Sequence, residues 1–466
     1  MNLTRRVFLK KSALSAAGIS AALASQNFPA PAFSQTANAN EKLNLAFVGV
    51  WGQARETMGN MRSENFYALC DVDSKRLGMA AQRYPGAKHY ADYRKMLEEL
   101  DSQIDAVIVS TPDHSHAPAS LQAMRMKKHC YCEKPLAHEV IEARRMAEVA
   151  AENNLATQLG TQPNAYANYY ETEEIVKSGA IGKVKEVHVW TCTGNTTGYV
   201  QGVGGRRDVG IPLGIGWGQP ANQTLPPAGQ TIPQELNWDL WLGPAKQTEY
   251  HECYVPANWR RWWNFGSGQL GDFGCHYMNL PIRTLQLLNA KTVKAQGPAV
   301  NAYACPEWLR VQYTFQSANE FAAPGITLNW YDGKSIPEIA KLLEEHKIPF
   351  RGNGILFVGT EGDLFANYNE HTLYPETKYA DYKTPEPFIP RSIGHYKEFL
   401  EACRQDKPEL CRIPFSYGGR LTETVLLGIV AYRSGEAFEW DPENFRTTSA
   451  AANALLERPY RDGWTL

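Results

Sequence analysis

The sequence predicts an α/β architecture: a doubly wound parallel sheet followed by an α+β domain with a mainly antiparallel open sheet. Three observations predict it. Short apolar runs alternate with amphipathic segments over the first third of the chain beyond residue 40, the first of these runs ends in a glycine turn, and after about Thr161 the rhythm changes to longer strands and fewer helices.

The apolar runs at 43–50, 67–69, 106–109, 129–132 and 156–159 have the length and continuous hydrophobicity of strands buried on both faces. Between them, 75–84, 93–100, 117–127 and 141–152 are amphipathic with helical spacing, which places helices on both sides of the sheet. In the second part, 184–189 alternates partly, and 309–315, 326–331 and 355–358 continue an antiparallel pattern. Helices are expected over 170–178, 268–288, 392–404 and 422–433, packed on one face of that sheet. The implied boundaries are a leader and linker (1–40), a first domain (41–162), a second domain (163–445) and a C-terminal tail (446–466). Residues 194–234 carry ten glycines and five prolines without periodicity. Such a loop is a lid, a subunit arm or plain surface, and Tyr199, Arg206 and Trp217 favour an ordered role.

The N-terminus reads Thr4-Arg5-Arg6-Val7-Phe8-Leu9-Lys10 before an apolar stretch rich in Ala and Ser, and it resembles a twin-arginine export signal. Ser15, Gly18 and Ser20 interrupt the stretch, which makes it a leader rather than a membrane anchor. The expected location is therefore the periplasm. The leader holds Arg5, Arg6, Lys10 and Lys11 and no acid, so without it the formal net charge falls from −2 to −6. That charge excludes a nucleic-acid binder, which needs clustered cations, and fits a small neutral or weakly charged partner. Nine cysteines cannot all pair. Cys70 and Cys192 fall within strands as small hydrophobes, and Cys130-Tyr131-Cys132 lacks the two-residue gap of a redox or zinc pair. Neither these nor His114-Ser115-His116 predict a metal.

The glycine turn is Gly49-Val50-Trp51-Gly52-Gln53-Ala54, and Asp71 ends the next strand 22 residues later, followed by Val72 and Asp73. This is the layout of a Rossmann dinucleotide site: backbone N–H groups at a helix start face a pyrophosphate, and an acid receives ribose hydroxyls. Gly49 and Ala54 match G-x-G-x-x-G/A, but Trp51 stands at the middle glycine. We expect Gly52 to take the close contact and Trp51 to cover the cofactor. Asp71 disfavours a 2′-phosphate, whereas Lys75 and Arg76 keep NADP open beside NAD. Asp73 and Gln53 are the remaining candidates here.

Ser110-Thr111-Pro112-Asp113-His114-Ser115-His116 follows one strand and Glu133-Lys134-Pro135 the next, both at carboxyl ends where ligands collect. With the glycine turn, and with Gly160-Thr161-Gln162, 179–184, 238–244 and the closing 460–464, this set resembles the Gfo/Idh/MocA oxidoreductases. The resemblance implies a Rossmann NAD(P)-binding domain, an α+β substrate and oligomerisation domain, and a dimer or tetramer formed through the sheet. It implies that Lys134 is catalytic, with Asp272-Phe273-Gly274-Cys275-His276 as the partner motif. It also implies that Thr111, Pro112, His114, His116, Glu133, Lys134 and Gln162 line the cofactor. A spacing of four places Asp272 and His276 on one helical face. Two departures stand out: Asn279 where many relatives carry an acid, and Asn164 where many carry Arg.

Removing hydride from a secondary alcohol requires a base for the hydroxyl proton and positive charge for the developing alkoxide. We assign the base to His276, the charge to Lys134 and a neighbouring substrate hydroxyl to Asp272, with Arg260 as a further substrate contact. Trp259, Trp262 and Trp263 around Arg260 and Arg261 are read equally well as core or as a sugar platform. The leading function is an NAD(P)-dependent oxidoreductase acting on a sugar or sugar derivative with a retained, recycled cofactor. The alternatives are a glycosidase or lyase that works by transient oxidation, and a non-catalytic carbohydrate or nucleotide binder.

Overall fold

A computed structural model describes residues 42–192, 230–316 and 319–466. The leader and nearly all of the 194–234 loop lie outside the described residues.

Six strands form a parallel sheet in the order β3-β2-β1-β4-β5-β6. They are β1 (Asn44–Val48), β2 (Asn65–Cys70), β3 (Lys88–Tyr90), β4 (Ala106–Val109), β5 (His129–Glu133) and β6 (Thr157–Gly160). Helices α1 (Ala54–Asn60), α2 (Ser74–Arg83), α3 (Tyr93–Leu100), α4 (His116–Arg125) and α5 (Val140–Glu152) connect them. The central strands are buried on both faces, as the continuous apolar runs require. One face packs Val48, Val107 and Val109 against Leu97, Leu121 and Met146, and the other packs Phe47, Leu69 and Ile108 with Met58. This is the expected doubly wound fold; the sequence missed β3, whose three residues are all at least partly exposed.

After α6 (Ala167–Lys177) the chain adds β7 (Val184–Cys192), β8 (Thr292–Gln296), β9 (Leu309–Thr314), β10 (Ala322–Gly333), β11 (Asn353–Gly359), β12 (Asp363–Ala366), β13 (His371–Tyr374), β14 (Phe438–Asp441) and β15 (Arg446–Thr447), which form a nine-stranded sheet in the order β13-β12-β11-β7-β10-β9-β8-β14-β15. Its centre is β7 (Val184–Cys192) beside β10 (Ala322–Gly333), the one parallel pair; the other pairs, including β10 with β9 (Leu309–Thr314) and β7 with β11 (Asn353–Gly359), are antiparallel.

The helix expected over 268–288 is two, α8 (Gly268–Tyr277) and α9 (Asn279–Thr284), preceded by the short α7 (Trp238–Leu242). Pro281 has no N–H to offer the Tyr277 carbonyl four residues back, so the ladder breaks there. The sequence also missed α10 (Pro337–Glu345), where proline serves at the first turn. Ile339 and Leu343 of α10 cover Trp190, Leu356 and Phe365, so at this end helices lie on both faces of the sheet, not one. Next, α11 (His395–Gln405) brings Phe399 and Leu400 back onto the parallel sheet. The helix expected at 422–433 begins seven residues earlier, as α12 (Phe415–Ser434), and shares a core with α5. Gly418 and Gly419, poor helix formers, lie in its added first turns. The tail does not hang free: β15 (Arg446–Thr447) pairs with β14 (Phe438–Asp441), and Tyr460 donates to Glu142 at 2.7 Å.

Candidate active site

Two carboxyl-end turns of the parallel sheet and the start of α8 meet at one place. Lys134, just past β5, donates from Nζ to the Asp272 carbonyl oxygen at 2.8 Å and to Asp272 Oδ1 at 2.5 Å. Arg260 Nε donates to the same Oδ1 at 3.3 Å. Burial would raise the Asp272 carboxyl, but the Lys134 and Arg260 charges hold it below its ordinary value. One turn further along α8, burial pushes His276 well below the usual histidine range, and the neighbouring Lys134 charge pushes it the same way. The imidazole is therefore neutral at physiological pH. Asp272 Oδ2 and His276 Nδ1 are buried and have no partner among the described residues. Two buried polar atoms without partners beside an ammonium mark an incomplete hydrogen-bond network.

The structure thus brings together all four predicted substrate-side residues, Lys134, Asp272, His276 and Arg260. It adds one that the sequence did not offer. Tyr368, in the turn between β12 (Asp363–Ala366) and β13 (His371–Tyr374), sets its ring edge-on to His276 at 6.3 Å and stacks on Tyr277 at 4.5 Å. Asn168 fixes that turn by donating to the carbonyls of Asn367 and Glu370. Nothing local marks a tyrosine in a hairpin turn as a site residue. By contrast, Trp259, Trp262 and Trp263 are buried, which places them in the core.

The dinucleotide turn fits its expected ligand. Gly49 adopts φ +85°, and a Cβ there would lie 2.7 Å from the Ser110 carbonyl oxygen, so this glycine lets β1 and β4 exit side by side. Gly52 adopts φ +62° with open space where a side chain would stand. The N–H groups of Trp51 and Gly52 have no acceptor among the described residues, the condition in which a helix start receives phosphate. The Trp51 ring is half-buried, with the Arg55 guanidinium 4.7 Å from its centroid. Asp71 is held at the crest by N–H groups of Val50 and Asp73, each at 3.0 Å. Its oxygens keep lone pairs for ribose hydroxyls.

The other predicted cofactor residues make contacts within the protein. His114 is fully buried, with its ring nitrogens facing the carbonyls of Trp241 and Phe265. His116 is likewise buried between those of Pro135 and Thr111. Burial lowers the two rings to about 3 and about 4, so both are neutral braces with no polar atom left for a ligand. Asp73 caps α2 through the Arg76 N–H and pairs with the Arg76 side chain at 3.0 Å. Gln53 stands at the α1 N-cap, where its Nε2 donates to Glu56 at 3.3 Å. Thr111 and Pro112 form the turn into α4, with Thr111 Oγ1 donating to the Pro112 carbonyl at 3.2 Å. Glu133 is buried, and its Oε1 accepts from Thr57, Tyr131 and Gln162, so it joins α1 to the turn after β6 without reaching outward. The two departures noted in sequence touch: Asn279 Nδ2 donates to Asn164 Oδ1 at 3.2 Å, an amide pair standing where relatives carry an acid and an arginine.

Burial raises the Glu133 carboxyl to about 7. Its folded-state value exceeds the unfolded one, so ionisation in the folded state costs stability as pH rises from about 4.5 to about 7. At 1.36 kcal/mol per unit that loss totals about 3 kcal/mol. Glu133→Gln removes the titration. Its stability relative to wild type should improve by about that amount between pH 4.5 and 7.5. Urea melts at the two pH values check this, and a pH-independent difference would contradict it.

Comparison with known proteins gives the same picture. Residues 43–161 match the model of the Gfo/Idh/MocA oxidoreductases described as "Oxidoreductase family, NAD-binding Rossmann fold", and residues 213–336 match its C-terminal alpha/beta domain. The chain belongs to the Gfo/Idh/MocA oxidoreductase family. An inositol 2-dehydrogenase of Rubrobacter xylanophilus is 30% identical over 153 residues, 31% of this chain and 42% of that one. A glycosyl hydrolase family 109 protein of Shewanella pealeana is 29% identical over 208 residues, 40% of this chain and 45% of that one. The chain thus spans under half the length of these curated relatives. The WlbA dehydrogenase of Bordetella pertussis, solved with NADH and UDP-GlcNAcA, superposes with a TM-score of 0.57 at 15% identity, covering 86% of this chain and 99% of that one. At that identity the likeness is one of fold.

Proposed function

We propose that this Gfo/Idh/MocA protein is an NAD(P)-dependent oxidoreductase that moves hydride between a secondary alcohol of a sugar or sugar derivative and a nicotinamide. The observation that carries the reading is the buried Lys134–Asp272 ion pair with neutral His276 one turn further along the same helix. The turn at 49–54 and Asp71 would hold the dinucleotide, which when bound supplies the hydride acceptor. Neutral His276 takes the hydroxyl proton at its bare ring nitrogen. Lys134 spends two N–H groups on Asp272 and keeps the third for the developing alkoxide. Asp272, held ionised, accepts from an adjacent hydroxyl and selects polyols over simple alcohols. Inositol is the substrate named by one group of relatives, and it presents adjacent hydroxyls of this kind.

The Shewanella relative supports a second reading, in which the same oxidation acidifies a neighbouring C–H and expels a glycosidic group. Incubation with a panel of polyols and glycosides separates the two. Net redox change in the products supports the first reading, and released aglycone with no net redox change supports the second. A protein that neither carries nor takes up nicotinamide nucleotide would refute both.

With the leader read as an export signal, cofactor loaded before export must stay bound and be regenerated in place. On this reading Trp51 slows escape. Trp51→Gly should raise the rate of nucleotide loss on dialysis about tenfold, with the α1 turn otherwise intact; an unchanged rate would remove that role. Subunit pairing through the nine-stranded sheet is part of the same proposal, and light scattering on the purified chain tests it.

A further inference from the structure

The second domain reaches back over the end of β2. The Ser74 N–H donates to the Glu235 carbonyl at 2.8 Å, the Asn237 N–H donates to the Val72 carbonyl at 2.9 Å, and Asp73 and Leu236 lie opposite each other as an antiparallel bridge. Residues 233–239 thus run as a strap along the strip just beyond Asp71. The strap is firmly rooted: Trp238 stacks on Trp241 at 4.7 Å within a buried aromatic cluster that includes Tyr250, Tyr254 and Phe265. Between strap and strand lies a cavity of about 620 Å³, lined on one side by Asp71, Ser74 and Leu77 and on the other by Glu235, Leu236 and Asp239.

Among the described residues the charged side chains that line this cavity are Asp71, Glu235 and Asp239, all acids. Of the arginines in the adjoining segments, Arg76 is bound to Asp73 at 3.0 Å, Arg94 to Asp92 at 2.7 Å, and Arg461 to Asp239. A ribose seated on Asp71 would direct its 2′ position along β2 toward this cavity. A hydroxyl there meets acceptors, whereas a phosphate meets the carboxylates of Asp71, Glu235 and Asp239.

We propose that the 233–239 strap is the outer wall of the adenosine end of the dinucleotide site, where it excludes a 2′-phosphate and holds NAD in place. This rests on the dinucleotide reading of the turn at 49–54. It makes cofactor choice a property shared by the two domains, because Asp71 comes from the first and Glu235 from the second.

Nucleotide-free full-length protein is titrated with NADH and with NADPH, and binding is followed by nicotinamide fluorescence. Wild type should bind NADH at least about 100-fold more tightly. Glu235 is exposed, so Glu235→Arg leaves the core untouched; it should narrow that ratio about tenfold or more by strengthening NADPH binding. Asn237→Pro removes the N–H given to Val72, and should speed NADH dissociation in stopped flow about tenfold. Thermal melts of both variants report on folding. Equal wild-type affinities, or a Glu235→Arg ratio equal to wild type, would overturn the strap's part while leaving the dinucleotide reading standing. Failure of wild type to bind either nucleotide would overturn both.

Discussion

Lys134→Ala should lower turnover by about 10²–10³ while leaving nucleotide affinity within a few-fold. The ammonium bonds Asp272 Oδ1 at 2.5 Å, closer than Arg260 Nε, which reaches the same oxygen at 3.3 Å. The variant also tests the electrostatics. Asp272 is held below its usual value of 3.8 by Lys134 first and Arg260 second, against the opposing effect of burial. A carboxyl depressed in the folded state contributes stability that is present above its unfolded value and lost as pH falls through the folded one. Taking Lys134 away shrinks that contribution, so the variant should be less stable than wild type at pH 7, and the gap should narrow as pH falls below about 3.8. Lys134→Arg keeps the charge but replaces a compact donor by a planar fork, and should recover the stability without the full rate. Turnover within threefold of wild type for Lys134→Ala would remove the lysine from the chemistry.

Much of this site could be read before any coordinates, and the reasons are physical. Lys134 and the glycine turn sit at carboxyl ends of strands whose apolar runs are unmistakable, so their placement on one edge follows from the fold alone. Asp272 and His276 are four apart on one helix, a spacing that survives the break at Met278 because the break comes after them. What could not be read depends on contacts between segments distant in sequence. His114 and His116 look like ligands in the chain, but they are consumed by carbonyls from 151 and 19 residues away respectively. Tyr368 reaches His276 only because Asn168 pins a hairpin turn about 200 residues downstream. The strap is visible only as backbone pairing, which leaves no side-chain signature. Asn164 and Asn279, distant in sequence, touch only in the folded chain.

His276→Gln should cost about 10²–10⁴ in the rate of alcohol oxidation and should also erase a pH dependence. In wild type, burial and the Lys134 charge keep the ring neutral well below 6.5, so its bare nitrogen remains a competent acceptor as pH falls through the range where an exposed histidine would be lost. The acid limb of kcat/KM for oxidation should therefore lie well below pH 6. Because Lys134 is the second cause of the depression, Lys134→Met should move that limb upward on whatever activity remains, with burial still holding it below 6.5. The reverse reaction needs the same nitrogen protonated, so carbonyl reduction should gain rate as pH falls over the interval in which oxidation is flat. A merely structural histidine would give neither the opposed pH profiles nor their shift in the lysine variant. Parallel profiles in both directions, unchanged by Lys134→Met, would pass the base role to another group. The same pair of profiles reports on cofactor recycling, since an enzyme that must oxidise one carbohydrate and reduce another on a retained nucleotide would turn over fastest where the two limbs cross.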